Sequence, residues 1–226
     1  KSKAKKDREK IASTCPRGPA PTQAAILHPS LTPPKNKCLG CLNCPIFPTI
    51  RGVKIGDDYQ AKVKEDNHRT GVTHRIRCTG PAKAKVLVIL DKPDYKDDQA
   101  DGVVGRDSQF VSKALSRAGL DPDKCRWTFA VRCHSEEDPA KTAYRACSTY
   151  LANEIERLDP DFVIPVGAGP LRTILGPGWN VRSSAGVPSK VKLAGRLRVV
   201  CPLLSPGAVW IDPLLAIPYQ KHANAA

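Results

Sequence analysis

"KVLVILD", Lys85–Asp91, decides the fold. Val86–Leu90 are five apolar residues in a row, between a lysine and an aspartate. A half-exposed strand would alternate with polar residues. This run has the look of a parallel strand covered on both faces. Reading outward, "DSQFVSKALSRAGL" (107–120) spaces its apolar residues as a helix, with Asp107 or Ser108 as N-cap and Gly119 as its stop. "RWTFAVRC" (126–133) is a second strand. In "DPAKTAYRACSTYLANEIERLD" (138–159), Tyr144, Cys147, Leu151, Ile155 and Leu158 form a stripe at helical spacing. "DFVIPVG" (161–167) is a third strand, "GPLRTILG" (169–176) a short helix, "RLRVVCPLL" (196–204) a fourth strand and "WIDPLLAIPYQ" (210–220) a partly helical end. Strands alternating with helices predict an α/β fold, a three-layer αβα arrangement around a central, mostly parallel four-stranded sheet. Ligands in such folds sit at the carboxyl ends of the strands, here the loops starting at Asp91, Cys133, Gly167 and Ser205.

The flanks differ from this core. Residues 1–35 are rich in Lys, Pro and Ala without period and are expected to be a flexible basic arm. Residues 36–226 are expected to form one domain, with 45–85 containing a peripheral insertion. The formal charge of +14 suits a nucleic-acid backbone, the alternative being a merely soluble basic protein. No apolar run approaches the roughly 18 residues of a membrane span, and no signal-peptide pattern opens the chain. The expectation is therefore an intracellular protein, cytoplasmic or nucleoid-associated, with no membrane partner.

Three cysteines recur in "CLGCLNC" (38–44), and the chain has nine in all. An odd number in a reducing compartment argues against a disulfide scaffold. Cys41, Cys44, Cys133 and Cys147 would supply four thiolates from two chain regions, suiting a tetrahedral zinc site or a [4Fe–4S] cluster. Spacing alone does not separate the two, and Cys38 or Cys78 can replace one of the four. Cys15, Cys125 and Cys201 read as small buried hydrophobes.

The segments "CLNCPI", "VLVILDKPDYKDDQADGVVGRDSQFVSKAL", "WTFAVRCHSEED", "RACSTYLANEIERLDPDFVIPVGAGPLRTILG" and "VVCPLLSPGAVW" together resemble, in order, the iron–sulfur (family 4-like) uracil-DNA glycosylases. The resemblance runs from about Cys41 to Trp210 and implies a [4Fe–4S] cluster on Cys41, Cys44, Cys133 and Cys147. It also implies a base-excision site, and there the motifs diverge. The family's Gly-Glu-x-Pro-Gly is Leu90-Asp91-Lys92-Pro93-Asp94 here. Asp91 keeps a carboxylate for positioning water or stabilising charge, or is simply a strand-end cap, while Asp94 replaces a glycine. The next motif is reduced to Gly102-Val103-Val104-Gly105, so Val103 stands where the family stacks uracil on Phe. The asparagine that reads the base edge is Phe129, and the histidine before Pro206 is Ser205. Losing an oxyanion-type donor costs on the order of 3 kcal/mol of transition-state stabilisation, and losing the edge reader removes most base discrimination.

The resemblance leaves Asp91 and Ser205 as catalytic candidates, and Pro93, Val103, Gly105 and Phe129 as the substrate pocket. On the DNA side, "SPGAVW" places Val209 and Trp210 where relatives push a wedge into the stack. Pro206, Gly167, Arg106 and Arg132, with Lys113 and Arg182, complete the candidate contacts. Two functions remain in play: an iron–sulfur glycosylase with shifted specificity, removing a modified or damaged base, or a glycosylase-fold DNA-binding accessory without catalysis, working with replication or repair proteins. A third reading is an unrelated zinc-bound nucleic-acid module.

Overall fold

The computed structural model describes Cys44, residues 76–135 and residues 138–226. The basic arm, Cys38, Cys41 and most of the 45–85 stretch lie outside the described residues. Strand β1 (Val86–Leu90) is central, paired in parallel with β2 (Cys125–Phe129) on one side and β3 (Phe162–Pro165) on the other. The sheet order is β2-β1-β3-β5-β4, with β4 spanning Ser189–Leu193 and β5 Arg196–Val200.

Alternation along the strands sorts side chains into two cores. Val88, Leu90, Cys125, Trp127, Phe129 and Ile164 face one layer, which α2 (Arg106–Arg117) and α7 (Ala216–Ala225) cover with Val111, Leu115 and Tyr219. Leu87, Ile89, Val163 and Val200 face the other, covered by Leu151, Ile155 and Leu158 of α3 (Lys141–Leu158) and Ile174 of α4 (Ala168–Leu175). Between the main elements lie α1 (Tyr95–Ala100), α5 (Val181–Ser184) and α6 (Pro206–Ile211). The fold is thus the expected three-layer αβα. The chain leaves β1 first toward β2 and then returns across it to β3, so a topological switch point lies at the carboxyl ends of β1 and β3.

The sheet has five strands, not four. The fifth, β4, pairs antiparallel with β5 through a tight turn at Ala194 and Gly195, both at positive φ (46° and 79°). Only Val191 and Leu193 of β4 are buried, and Lys190 and Lys192 point outward, as protects an edge strand from further pairing. Helix α2 begins at Arg106 with Gly105 as its N-cap, two residues before the first expected cap, Asp107. It ends as expected: the Gly119 amide donates to Ser116 O and the Leu120 amide to Leu115 O, a Schellman closure with Gly119 at φ 90°. Of the 45–85 stretch, the final ten residues are described. Ile76 is fully buried, and Thr79 exchanges backbone hydrogen bonds with Trp127 at 2.8 and 3.0 Å. Among the described residues no helix is long and apolar enough to cross a membrane.

The strain at Ala194 is testable. A non-glycine residue in the left-handed region costs about 1 kcal/mol, so Ala194→Gly should raise the unfolding midpoint, by urea or heat, by roughly that amount. A neutral or destabilising result would mean that the Ala194 methyl, which packs against the second core, outweighs the strain.

Candidate functional site

Asp91 is the first residue beyond β1. Its Oδ1 accepts a hydrogen bond from the Tyr144 hydroxyl at 2.6 Å, while Oδ2 makes none among the described residues. Burial raises the Asp91 carboxyl above its ordinary value, and exposed Asp138 adds to this; the Tyr144 bond and Lys92 oppose it. Burial and the Asp91 charge push the Tyr144 phenol far up, so it stays protonated and donates. Gly169, in the first turn of α4, lies against the pair: a Cβ there would collide with Asp91 Oδ1 and the Tyr144 hydroxyl. Gly167 sits at φ 98° at the end of β3, and a Cβ on it would come 3.3 Å from Ser205 Cβ. Asp91, Tyr144, Gly167, Gly169 and Ser205 therefore converge at the switch point. Ser205 precedes α6, and its hydroxyl caps no amide of that helix and makes no hydrogen bond among the described residues. The geometry offers a fixed carboxylate oxygen and a hydroxyl.

The residues expected to hold a base are packed away. Phe129 is 1% exposed and shares its core cluster with Leu90, Val103 (8% exposed), Val166 and Leu204. Pro93 and Gly105 are also buried. Asp94 is turned into its own loop. Its Oδ1 caps α1 by accepting from the Lys96 and Asp97 amides (2.8 and 3.0 Å), and its Oδ2 accepts from Arg106 N (2.8 Å). Asp97 accepts from the amides of Asp94, Val104 and Gly105 at 2.9, 2.7 and 2.6 Å. These two carboxylates start α2 at Arg106 from outside the helix, which is why Asp107 and Ser108 are not its cap. Burial would raise Asp94, but its three amides outweigh that and hold it below the usual carboxylate range. Asp97 is more buried, and despite its amides it is raised.

On the expected DNA side, "SPGAVW" forms α6 with Pro206 in its first turn. Val209 is buried in the core and does not project. Trp210 is 36% exposed, with the Arg106 guanidinium 3.7 Å over its ring and Phe110 edge-on at 6.1 Å. Ile211, 88% exposed, is what this turn presents. Arg132 donates twice to the Ile76 carbonyl, through Nε and Nη2, and so anchors the residue 76 segment. Arg182 caps nothing with its side chain and lies in α5; Lys113 lies on α2, lining a groove on the outer layer.

Three of the four candidate thiols come together. Cys44 and Cys147 share a small buried cluster with Val131, Ala143 and Ala146, and Cys133, four residues past the end of β2, is buried as well. The Cys147 thiol is pushed far up by its hydrogen bond with Cys44, by burial and by the Cys133 charge. Among the described residues, which exclude Cys41, no group of three or more His, Cys, Asp or Glu is placed to hold a metal ion. Three buried sulfurs from three chain segments nevertheless fit the donor set of a thiolate-held cluster. Cys78 instead donates to Thr128 Oγ1 at 3.3 Å. Cys125 and Cys201 are isolated in the core, where burial pushes them up to about 11 and about 12.

Tyr144 was not singled out for chemistry in the sequence, where it belongs to the apolar stripe of α3. The usable signal was that a buried tyrosine hydroxyl needs a partner, and the strand-end aspartate is a ready acceptor. Asp107 is the other residue missed. Burial and the charges of Asp94, Asp97 and Asp91 push its carboxyl up to about 6. Its folded-state value exceeds its unfolded value of about 3.9, so its contribution to stability is full below about pH 4 and is lost as pH rises through about 6. Asp107→Asn should therefore be more stable than wild type at pH 7, by about 1 to 2 kcal/mol once solvent screening of a partly exposed group is allowed for. The advantage should vanish by about pH 4; a difference constant across that range would remove Asp107 from this cluster.

Comparison with known proteins agrees with this architecture. Residues 78–215 match the uracil DNA glycosylase superfamily. A "Type-4 uracil-DNA glycosylase" of Sulfurisphaera tokodaii is 24% identical over 151 residues, 63% of this chain and 69% of that protein. A "DNA polymerase" of Bacillus phage SP01 is 28% identical over 96 residues, 41% of this chain but only 10% of the phage protein. The chain thus spans about a tenth of the phage relative and about two thirds of the archaeal one. With a matched span that runs from Cys78 through β1, the switch point and Ser205 to Leu215, just past α6, the chain belongs to the uracil DNA glycosylase superfamily.

Proposed function

We propose that this chain is a glycosylase-like DNA-binding protein that holds DNA at the switch-point face without excising uracil. The observation that carries this reading is Phe129, 1% exposed at the position of the family's edge reader and packed with Val103 in the core. A flipped base must be stacked and read on its edge. A buried phenyl ring offers no hydrogen bond, and its packing occupies space that an amide and a base would share. The two relatives named above, a polymerase and a DNA glycosylase, and the charge of +14 favour DNA as the partner. Arg106 on Trp210, with exposed Ile211 alongside, supplies a cationic and apolar contact there.

A second reading, excision of a different base, is favoured by the Asp91–Tyr144 pair. Asp91 is held in one orientation with Oδ2 available to orient a water or stabilise a cationic sugar. Ser205 would donate to the leaving base in place of histidine. Tyr144 keeps Asp91 ionised to lower pH than burial alone would allow. The cluster belongs to the proposal as well: Cys41, Cys44, Cys133 and Cys147 would hold [4Fe–4S]. When bound, its iron–thiolate bonds cross-link the amino-terminal segment to the end of β2 and to α3.

Single-turnover assays on anaerobically purified protein separate the readings. Oligonucleotides would carry uracil, hypoxanthine, xanthine, 5-hydroxymethyluracil or modified cytosines, in single and double strands. The expected result is salt-sensitive binding with no abasic product from uracil, unchanged in Asp91→Asn. Uracil excision would overturn the proposal. Excision of another base, lost on Asp91→Asn, would establish the second reading. In that case Tyr144→Phe should move the acid limb of the rate profile to higher pH, because the lost hydrogen bond had lowered the Asp91 value.

Iron and sulfide analysis tests the cluster independently. About four of each per chain are expected. Cys147→Ser should lower both and reduce thermal stability, whereas Cys125→Ser, in the opposite core layer, should leave the iron content unchanged. Full iron in Cys147→Ser would exclude this ligand set.

A further inference from the structure

We infer that the groove between α2 and α7 is a docking site for an acidic, amphipathic peptide segment of a partner protein. This inference is independent of the reading of the base pocket. The groove has a volume of about 540 Å³. Its floor is Phe110, Ala114 and Tyr219, with Ile217, 70% exposed, at the lip. Lys113 and Arg117 stand on one wall, an i,i+4 pair on the same face of α2, and Lys221 stands on the α7 wall. No carboxylate lines the groove, and none of the three cations forms an ion pair among the described residues. The two walls are held at fixed spacing: Gln220 Nε2 of α7 donates to the Ala114 carbonyl of α2 at 3.0 Å, and the Phe110 and Tyr219 rings meet edge-on at 5.0 Å. The groove is therefore preformed, apolar at its base and positive at its rim.

Charge complementarity calls for an anionic occupant, and the floor decides between peptide and nucleic acid. Continuous single-strand binding needs an aromatic face for base stacking. Phe110 is engaged edge-to-face by both Trp210 and Tyr219, and Tyr219 is 1% exposed. The most exposed apolar group of the groove is Ile217, which is aliphatic. The groove also leads away from Asp91. Because β1 and β2 are parallel, α2 must return the chain to the amino ends of the strands, so Arg117 lies at the opposite end of the sheet from the switch point. A leucine or phenylalanine set between carboxylates fits such a groove, the apolar side chain against Ile217 and the carboxylates on Lys113, Arg117 and Lys221.

The test uses the full chain and a fluorescein-labelled peptide in which aspartates flank a central Leu-Phe pair, read by fluorescence anisotropy. A matched peptide with Ser-Ser in the centre and a labelled oligothymidylate serve as comparisons, and melting curves check that each variant is folded. Saturable binding of the Leu-Phe peptide is expected, weakened about tenfold by salt, by Arg117→Glu with Lys221→Glu, and by Ile217→Ser. The Ser-Ser peptide should bind at least about tenfold more weakly. Absence of binding, equal binding of both peptides, or binding that neither variant alters would overturn the inference. So would oligothymidylate binding that the charge reversals abolish while peptide binding persists, which would make the groove part of a nucleic-acid surface.

Discussion

Val86–Leu90 is flanked by strands on both edges and covered by helices on both faces, so the polar outlets of β1 are its two ends, Lys85 at the amino end and Asp91 at the carboxyl end. That constraint organises the rest of the molecule. A strand with no solvent face admits no charge along its length, and the first carboxylate that can occur, Asp91, is delivered to the point where the chain reverses its direction across the sheet. The glycines at 167 and 169 let the end of β3 and the start of α4 close down on it. The cysteines draw on the same frame. Cys133 ends the loop after β2 and Cys147 lies one turn beyond Tyr144 on α3, so the helix that orients Asp91 also carries a thiol to the amino-terminal segment at Cys44.

Four aspartates near this outlet show how position, not residue type, sets the role. Asp94 and Asp97 each accept from three backbone amides and in doing so shape the 94–106 loop and begin α2. Those amides are then committed to the protein and are not offered to a ligand. Asp91 has a single side-chain donor and keeps an oxygen open. Asp107 loses solvent to burial, accepts no hydrogen bond among the described residues and bears the repulsion of the other three, which is why it is pushed up to about 6 while Asp94 is pulled down.

How much of this was legible in the sequence follows from how local each determinant is. The β1 run and the Gly119 stop are written in adjacent residues, and both stand in the structure as read. The edge strand β4 was missed because its buried residues, Val191 and Leu193, are interleaved with lysines, and such a strand becomes evident only once β5 is there to pair with it. The start of α2 was misplaced because its cap comes from Asp94, twelve residues upstream, a tertiary contact. Asp94 stands where the resemblance has a glycine, and only the folded loop reveals that amides turn its carboxylate inward. Val209 and Trp210 have neighbouring positions and opposite fates, since one turn of α6 buries the first and lays the second beneath Arg106.

Buried positions must be satisfied with nothing bound, and the residues at 129 and 91 meet that requirement in different ways. An asparagine at a position as buried as Phe129 would leave its amide short of partners unless a base edge or water supplied them, at a cost of about 1–3 kcal/mol. A phenyl ring there contributes roughly 1.5–3 kcal/mol of apolar burial with nothing bound. Phenylalanine at 129 therefore stabilises the core without a ligand. Asp91 is not replaced by an apolar residue, but it is partnered from within: Tyr144 satisfies one oxygen in the absence of any substrate. Partnering leaves the second oxygen usable, whereas filling leaves no edge to read. The switch point thus presents a carboxylate with one oxygen free of protein partners among the described residues, while the neighbouring strand end buries a phenyl ring in the core.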